Sequence, residues 1–209
     1  MSGNNEPTER LSASFLTSAP DLARCPTPDQ PEVAFAGRSN AGKSSVLNRL
    51  TGNRNTAKVS KTPGRTQLIS LFDVSGGGRI ADLPGYGYAK ASKTSQAVWQ
   101  AAVNDYLNLR ECLVGVILVM DIRHPLQDFD TELIEWAAES ELPLHILLNK
   151  ADKLGRGAQQ QTAQKVRKAL EPYNMISVQT FSAAQGLGTP ELLELLQSWL
   201  QDDVETVSE

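Results

Sequence analysis

The sequence predicts an α/β fold: a three-layer sandwich with a mostly parallel six-stranded sheet and one antiparallel edge strand. Three observations predict it. Short apolar runs alternate with stretches of helical periodicity from Val33 to Leu200. The central runs are continuous in Val, Ile and Leu, as in strands covered on both faces. The chain has 209 residues and 40% hydrophobic content, enough for one sizeable core with polar tails.

The elements follow in order. Residues 1–31 are polar and punctuated by Pro7, Pro20, Pro26, Pro28 and Pro31, which predicts an extension with little regular structure, anchored by Phe15 and Leu16. Val33-Ala34-Phe35-Ala36 is a buried strand stopped by Gly37. The helix after it shows Val46, Leu47 and Leu50 on one face and ends at Gly52. Residues 53–67 are basic, polar and without apolar period, hence a loop. Leu68–Val74 and Arg79–Leu83 form a hairpin around Gly76-Gly77-Gly78, and its outer strand is the antiparallel edge. Residues 86–94 are a second loop, followed by a helix with Val98, Trp99, Val103, Tyr106 and Leu107 inward. Leu113–Met120 is a central strand. Asp128–Ser140 is a helix whose buried stripe reads Phe129, Leu133 and Trp136. Pro143–Leu148 and Ile176–Phe181 are strands flanking the helix Gln159–Leu170. Pro190–Leu200 closes the domain 32–200, with Pro190 at its start and Leu192, Leu193, Leu196, Trp199 and Leu200 buried. Residues 201–209 are an acidic, frayed tail.

Charge and composition exclude some classes. A net charge of −4 excludes a uniformly basic nucleic-acid coat. Its distribution is uneven: Arg38 to Lys93 holds ten Lys/Arg against Asp73 and Asp82, so this segment carries +8 and the remainder −12. Such a segment either faces a polyanion or serves bound phosphates and solvent. The longest apolar run, Cys112 to Met120, is of strand length, too short to span a bilayer. The start Met1-Ser2-Gly3-Asn4-Asn5-Glu6 lacks a basic and apolar leader. Cys25 and Cys112 form no disulfide framework, which predicts a reduced, cytoplasmic protein with Cys112 as a core thiol.

Four nucleotide signals then occur in sequence. The first is Gly37-Arg38-Ser39-Asn40-Ala41-Gly42-Lys43-Ser44, set between a strand and a helix. Its glycines let backbone N–H groups turn inward, the helix N-terminus points at phosphate, and the Lys43 ammonium reaches the β- and γ-phosphates. The Ser44 hydroxyl is a Mg²⁺ ligand in that geometry. The second is Asp82-Leu83-Pro84-Gly85 at a strand end. Asp82 can hold Mg²⁺ through water, and the Gly85 N–H can approach a γ-phosphate. The third is Asn149-Lys150-Ala151-Asp152, and the fourth Ser182-Ala183 directly after Phe181. Guanine presents N1–H and an exocyclic amine side by side, and the Asp152 carboxylate accepts both, whereas adenine turns a lone pair toward it. Lys150 can lay its stem along the ring, Asn149 can tie this loop to the phosphate loop, and the Ala183 N–H can meet the guanine O6. A metabolic kinase is disfavoured by Asp152 with Ala183. His124 and His145 stand too far apart to suggest a metal site.

The stretches Pro31 to Asn40, Pro63-Gly64-Arg65-Thr66-Gln67, Asp82-Leu83-Pro84-Gly85-Tyr86-Gly87-Tyr88-Ala89 and Asp121-Ile122-Arg123-His124 resemble the EngB (YihA/YsxC) family of bacterial GTPases over nearly the whole chain. Ala41 and Arg65 depart from the commoner Val and Lys. The resemblance implies a Ras-like fold, GTP and GDP as ligands, Mg²⁺, and a switch acting in large ribosomal subunit assembly, with a cell-division and septation requirement attached. It makes Ser44, Thr66 and Asp82 the metal residues, with Thr62 the rival of Thr66, and Gly64, Arg65, Thr66, Gln67 and Leu68 the switch segment along the nucleotide. It also implies a cytoplasmic monomer whose partner is the large subunit or its precursor, with no role for membrane or DNA. A protein-interaction module at the division site is the alternative.

Catalysis falls to Lys43, Thr66, Gly85 and Asn40. The position that often carries a water-orienting glutamine is Tyr86, so slow intrinsic hydrolysis is expected. Asn40 has two readings: a ligand for a K⁺ ion at the β–γ bridge, or a residue that fits a tight turn. The +8 segment covers both switch loops, so Lys58, Lys61, Arg65, Lys90 and Lys93 are the expected rRNA contacts, tighter with GTP than with GDP.

Overall fold

The computed structural model describes residues 10–52, 68–86 and 93–201, with 93–99 by backbone alone. Its strands are β1 (Ala13–Ala19), β2 (Glu32–Gly37), β3 (Ile69–Val74), β4 (Arg79–Asp82), β5 (Leu113–Asp121), β6 (Leu144–Asn149) and β7 (Ile176–Thr180). Its helices are α1 (Lys43–Thr51), α2 (Lys93–Leu109), α3 (Asp128–Glu139), α4 (Arg156–Leu170) and α5 (Thr189–Leu200). The strands form one sheet in the order β1-β3-β4-β2-β5-β6-β7.

The register explains the layers. Along β2, Val33 and Phe35 face one side and Ala34 and Ala36 the other; β5 and β6 alternate likewise. One face packs Val46, Leu47 and Leu50 of α1 and Leu192, Leu193 and Leu196 of α5. The other packs Tyr106 of α2, Ile134 of α3 and Ala163 and Val166 of α4. Both faces are covered, which is why these strands read as unbroken apolar runs. α5 packs tightly on β5 at Gly115, where a Cβ would lie 2.6 Å from the Trp199 ring.

Two expectations need correction. The segment before β2 is not structureless: β1 pairs antiparallel with β3, making seven strands where six were expected. Among the described strands, the one that runs against the others, β3, therefore lies inside the sheet and β1 forms the edge. β1 escapes a pattern search because its register shifts between Phe15 and Thr17. A bulge there breaks the two-residue alternation. Phe15 nonetheless packs edge-on against Phe72, ring centroids 5.8 Å apart.

The second correction concerns α3. Its buried residues are Asp130, Ile134 and Ala137, one position on from the expected stripe, and Phe129 is 37% exposed. A carboxylate on the buried side has a physical reason. Asp130 accepts the Gln127 N–H at 3.0 Å in a capping box and the Tyr86 hydroxyl at 2.5 Å.

At the amino-terminal end of the parallel strands, Glu32 is fully buried and accepts from Arg110 Nε (2.8 Å), Arg110 Nη2 (2.5 Å) and the Tyr106 hydroxyl (2.7 Å). Arg110 also holds the Pro26 carbonyl, and Arg79 holds Thr27, Asp29 and Asp73. A buried charge this well bonded fixes the lower edge of the sheet and the incoming chain to one another. Cys25 and Cys112 lie half-buried beside this network as free thiols, each pushed up to about 11, mainly by burial. No described helix is long and apolar enough to cross a membrane.

Candidate nucleotide site

Because β2, β4, β5, β6 and β7 are parallel, the loops that follow them open at one edge of the sheet. Ligands bind at that carboxyl edge in open α/β sheets. The phosphate loop leaves β2 at Gly37, where φ is +152° and a Cβ would stand 2.5 Å from the Val119 carbonyl oxygen. It re-enters helix at Gly42, φ +102°, where a Cβ would stand 2.3 Å from Asn149 Nδ2. Only glycine fits either place. Between them Asn40 takes the left-handed conformation, φ 69°, which a tight turn requires. Helix α1 then begins at Lys43.

Lys43 and Asp82 form an ion pair with 10% and 2% of their side chains exposed. The structure thus brings the phosphate-seeking cation and the metal-seeking carboxylate together at the mouth of the loop. Ser44 follows in the first turn of α1. A hydroxyl, one carboxylate and nucleotide phosphates suit Mg²⁺, which keeps several waters and needs no all-protein cage. Among the described residues there is no group of three or more His, Cys, Asp or Glu that could hold an ion by themselves.

The chain after β4 docks on the end of β2 and on the loop through its backbone. The Leu83 N–H donates to the Phe35 carbonyl (3.0 Å), and the Ser39 N–H to the Tyr86 carbonyl (2.7 Å). A Cβ on Gly85 would lie 3.3 Å from the Ser39 nitrogen. Pro84 is half-buried between them. The Tyr86 side chain turns away, 7% exposed, onto Asp130 and the Phe129 ring, 5.5 Å between centroids. Burial first, then the Asp130 charge, pushes its hydroxyl far above the ordinary range, so it is a fixed donor.

The base loops are joined to the phosphate loop. Asn149 Nδ2 donates to the Ala41 carbonyl at 3.0 Å, and its Oδ1 accepts the Ala183 N–H at 3.2 Å. Lys150, left-handed at φ 64°, donates to the Asn40 carbonyl and to Asp121 at 2.9 Å. The Ala151 N–H donates to the Phe181 carbonyl, so Phe181 joins the two loops by backbone while its ring is buried in the core. Asp152 accepts the Ser182 hydroxyl at 2.7 Å and pairs with Lys153 at 3.1 Å. The Ser182 bond, more than Lys153, holds its carboxyl below the usual carboxylate range. The Ala183 N–H expected to face guanine O6 donates here to Asn149 Oδ1.

Asp121, noted in the sequence only as part of a family stretch, and Arg49 are structural members of the site to which the sequence reading gave no role. Asp121 receives Arg123 at 2.6 Å and Lys150 at 2.9 Å; Arg123 foremost holds its carboxyl far below the ordinary value. Its place at the end of a central strand was the available signal. Gly64, Arg65, Thr66, Gln67, Thr62, Lys58, Lys61 and Lys90 lie outside the described residues, as does the Lys93 side chain. Leu68 is half-buried at the entry to β3.

This sheet order with these four loops at one edge defines a Ras-like P-loop GTPase. A family model described as a 50S ribosome-binding GTPase matches residues 32–150. A probable GTP-binding protein EngB of Vibrio parahaemolyticus is 52% identical over 186 residues, covering 88% of this chain and 85% of its own. Another, of Glaesserella parasuis, is 50% identical over 189 residues, covering 90% of each. The chain belongs to the EngB family of GTP-binding proteins. Solved structures carry the same fold. A probable GTP-binding protein engB has a TM-score of 0.66 at 22% identity, covering 82% of this chain and all of its own. Era of Aquifex aeolicus, bound to GDP and AlF₄⁻, has a TM-score of 0.62 at 20% identity, covering 82% of this chain and 57% of its own.

Proposed function

We propose that this GTPase is a slow switch in assembly of the large ribosomal subunit, and that cell division and septation depend on it. The observation that carries the reading is the match to the 50S ribosome-binding GTPase model across the phosphate loop, Asp82–Gly85 and Asn149. The joined loops support it. The Asn149 and Lys150 bonds to the phosphate loop make base recognition and phosphate binding one rigid unit. Ser44 and Asp82 would hold Mg²⁺, which would neutralise phosphate charge when bound. Lys43 binds the phosphates, and the Gly85 backbone, braced on Ser39 and Tyr86, is placed to follow the γ-phosphate.

Slow turnover follows from Tyr86. Its side chain is committed to Asp130 and cannot orient a water at the phosphate. A K⁺ ion held by Asn40 would supply the missing charge; replacing KCl by NaCl should then slow hydrolysis several-fold, and equal rates in both salts would remove the ion from the mechanism. The expected partner contact is rRNA through the basic switch face, by a monomer in the cytoplasm. The test is cosedimentation with large subunits in GDP, GTP or a non-hydrolysable analogue. Binding should favour the triphosphate forms and fall steeply with added salt. Equal pelleting in all three nucleotides would defeat the switch.

A further inference from the structure

Outside residues 38–93 the chain carries −12, yet residues 153–170 hold five Lys/Arg and no Asp or Glu. Lys153 is paired with Asp152. Arg156, Lys165, Arg167 and Lys168 of α4 are exposed and, among the described residues, make no ion pair, although α3 in the same layer exposes Glu132, Glu135 and Glu139. Helix α4 turns Ala163, Val166 and Leu170 to the core. On its outer side Arg156, Gln160, Gln164 and Lys168 recur at every fourth residue, so they form one stripe, about 18 Å from end to end. Exposed Gln161, Lys165 and Arg167 flank it. The stripe has a cation at each end and amides between.

Helix stability does not account for this pattern. Arg167 and Lys168 in the last turn suit the helix dipole, but Arg156 opens the helix at the end where a cation is disfavoured, and the first turn has no acid. Exposed helix faces gain from opposite charges at i,i+4, and α4 has one sign only. Gly155 and Gly157 stand on either side of Arg156, and a Cβ on either would meet nothing within 4 Å, so the backbone there is bare. No large apolar side chain of α4 is exposed, which separates this face from a membrane-lying helix.

We propose that the outer face of α4 is a second RNA-binding surface, which lies along double-stranded RNA with its four cations on phosphates and Gln160 and Gln164 on the 2′-hydroxyls and base edges of the shallow groove. The choice of RNA over another polyanion rests on the reading of the protein as a ribosomal switch; the uncompensated charge of the face does not. Helix α4 carries none of the four nucleotide motifs, so its grip on RNA is the same with GDP and with GTP.

Fluorescence anisotropy with a labelled RNA duplex of about 16 base pairs, the DNA duplex of the same sequence and heparin as competitor tests this. The wild type should bind the RNA duplex more tightly than the DNA duplex. The variant Arg156→Gln/Lys165→Gln/Arg167→Gln/Lys168→Gln should bind the RNA at least about 10-fold more weakly, and the slope of log K against log salt should shrink by about 3 to 4. Both changes should be equal with GDP and with a non-hydrolysable GTP analogue, and an unaltered GDP affinity shows that the fold is kept. Gln160→Ala/Gln164→Ala should narrow the RNA–DNA difference and leave the salt slope in place. Unchanged RNA affinity and slope in the four-cation variant overturn the proposal. Equal binding of RNA and DNA by the wild type overturns the choice of RNA, and a loss as large for heparin as for the duplex reduces the face to general anion attraction, which overturns it too. All of these are read on an isolated duplex in either nucleotide, so none depends on the triphosphate preference that tests the switch.

Discussion

Tyr86 shows how one side chain can change the reading of a motif. From its position after Gly85 it competes for the place of a water-orienting group, yet its hydroxyl belongs to a buried pair with Asp130. Burial lifts the Asp130 carboxyl above its ordinary value, against the pull of the Tyr86 bond. Removing the hydroxyl leaves that carboxyl one donor short, so Tyr86→Phe should cost about 1–3 kcal/mol in denaturant unfolding. Much of the remaining site was legible at this scale. Asn149 announced its bridge because a donor-and-acceptor amide follows a strand that must end beside the phosphate loop. Arg49 stands outside every motif: its contacts are to backbone carbonyls far along the chain, and carbonyls have no letter in a sequence.

At the scale of elements, β6 and β7 are joined by side chains as well as by backbone. His145 shares 2.7 Å with the Ser177 hydroxyl and 2.8 Å with Gln179 Oε1, and Gln179 Nε2 donates to the Gly188 carbonyl at 2.8 Å. An amide oxygen only accepts, so Nε2 carries the proton and Nδ1 takes the serine's. This neutral imidazole accounts for both nitrogens. Burial accordingly lowers the His145 pKa from 6.5. A histidine depressed in the folded state stabilises it above its unfolded value and loses that contribution as pH falls through the folded one. The thermal midpoint should therefore drop on acidification below 6.5, and His145→Gln should flatten that slope in scanning calorimetry. The strands themselves were legible from their apolar runs. The rotation of α3 by one residue was not, because a hydrophobic count cannot foresee a buried aspartate whose partners lie on another loop.

For the whole molecule, the alternation of strands and helices sufficed to foresee layers, direction and the edge at which ligands bind. It did not suffice for β1, whose bulge scrambles the pattern and whose pairing gains meaning only beside Phe72. Deleting residues 1–19 should leave β3 as an open edge, and hydrogen exchange of the β3 amides should accelerate well beyond that of β5. Unchanged protection of β3 would show that β1 adds nothing to the sheet. The ionic lock around Glu32 and the ligand loops occupy opposite poles of the same strands. A chain arranged in this way has a foundation and a rim. What loosens, closes or turns over at the rim does so on strands whose other ends are bolted down, so motion needed for work there does not have to be taken from the endurance of the fold.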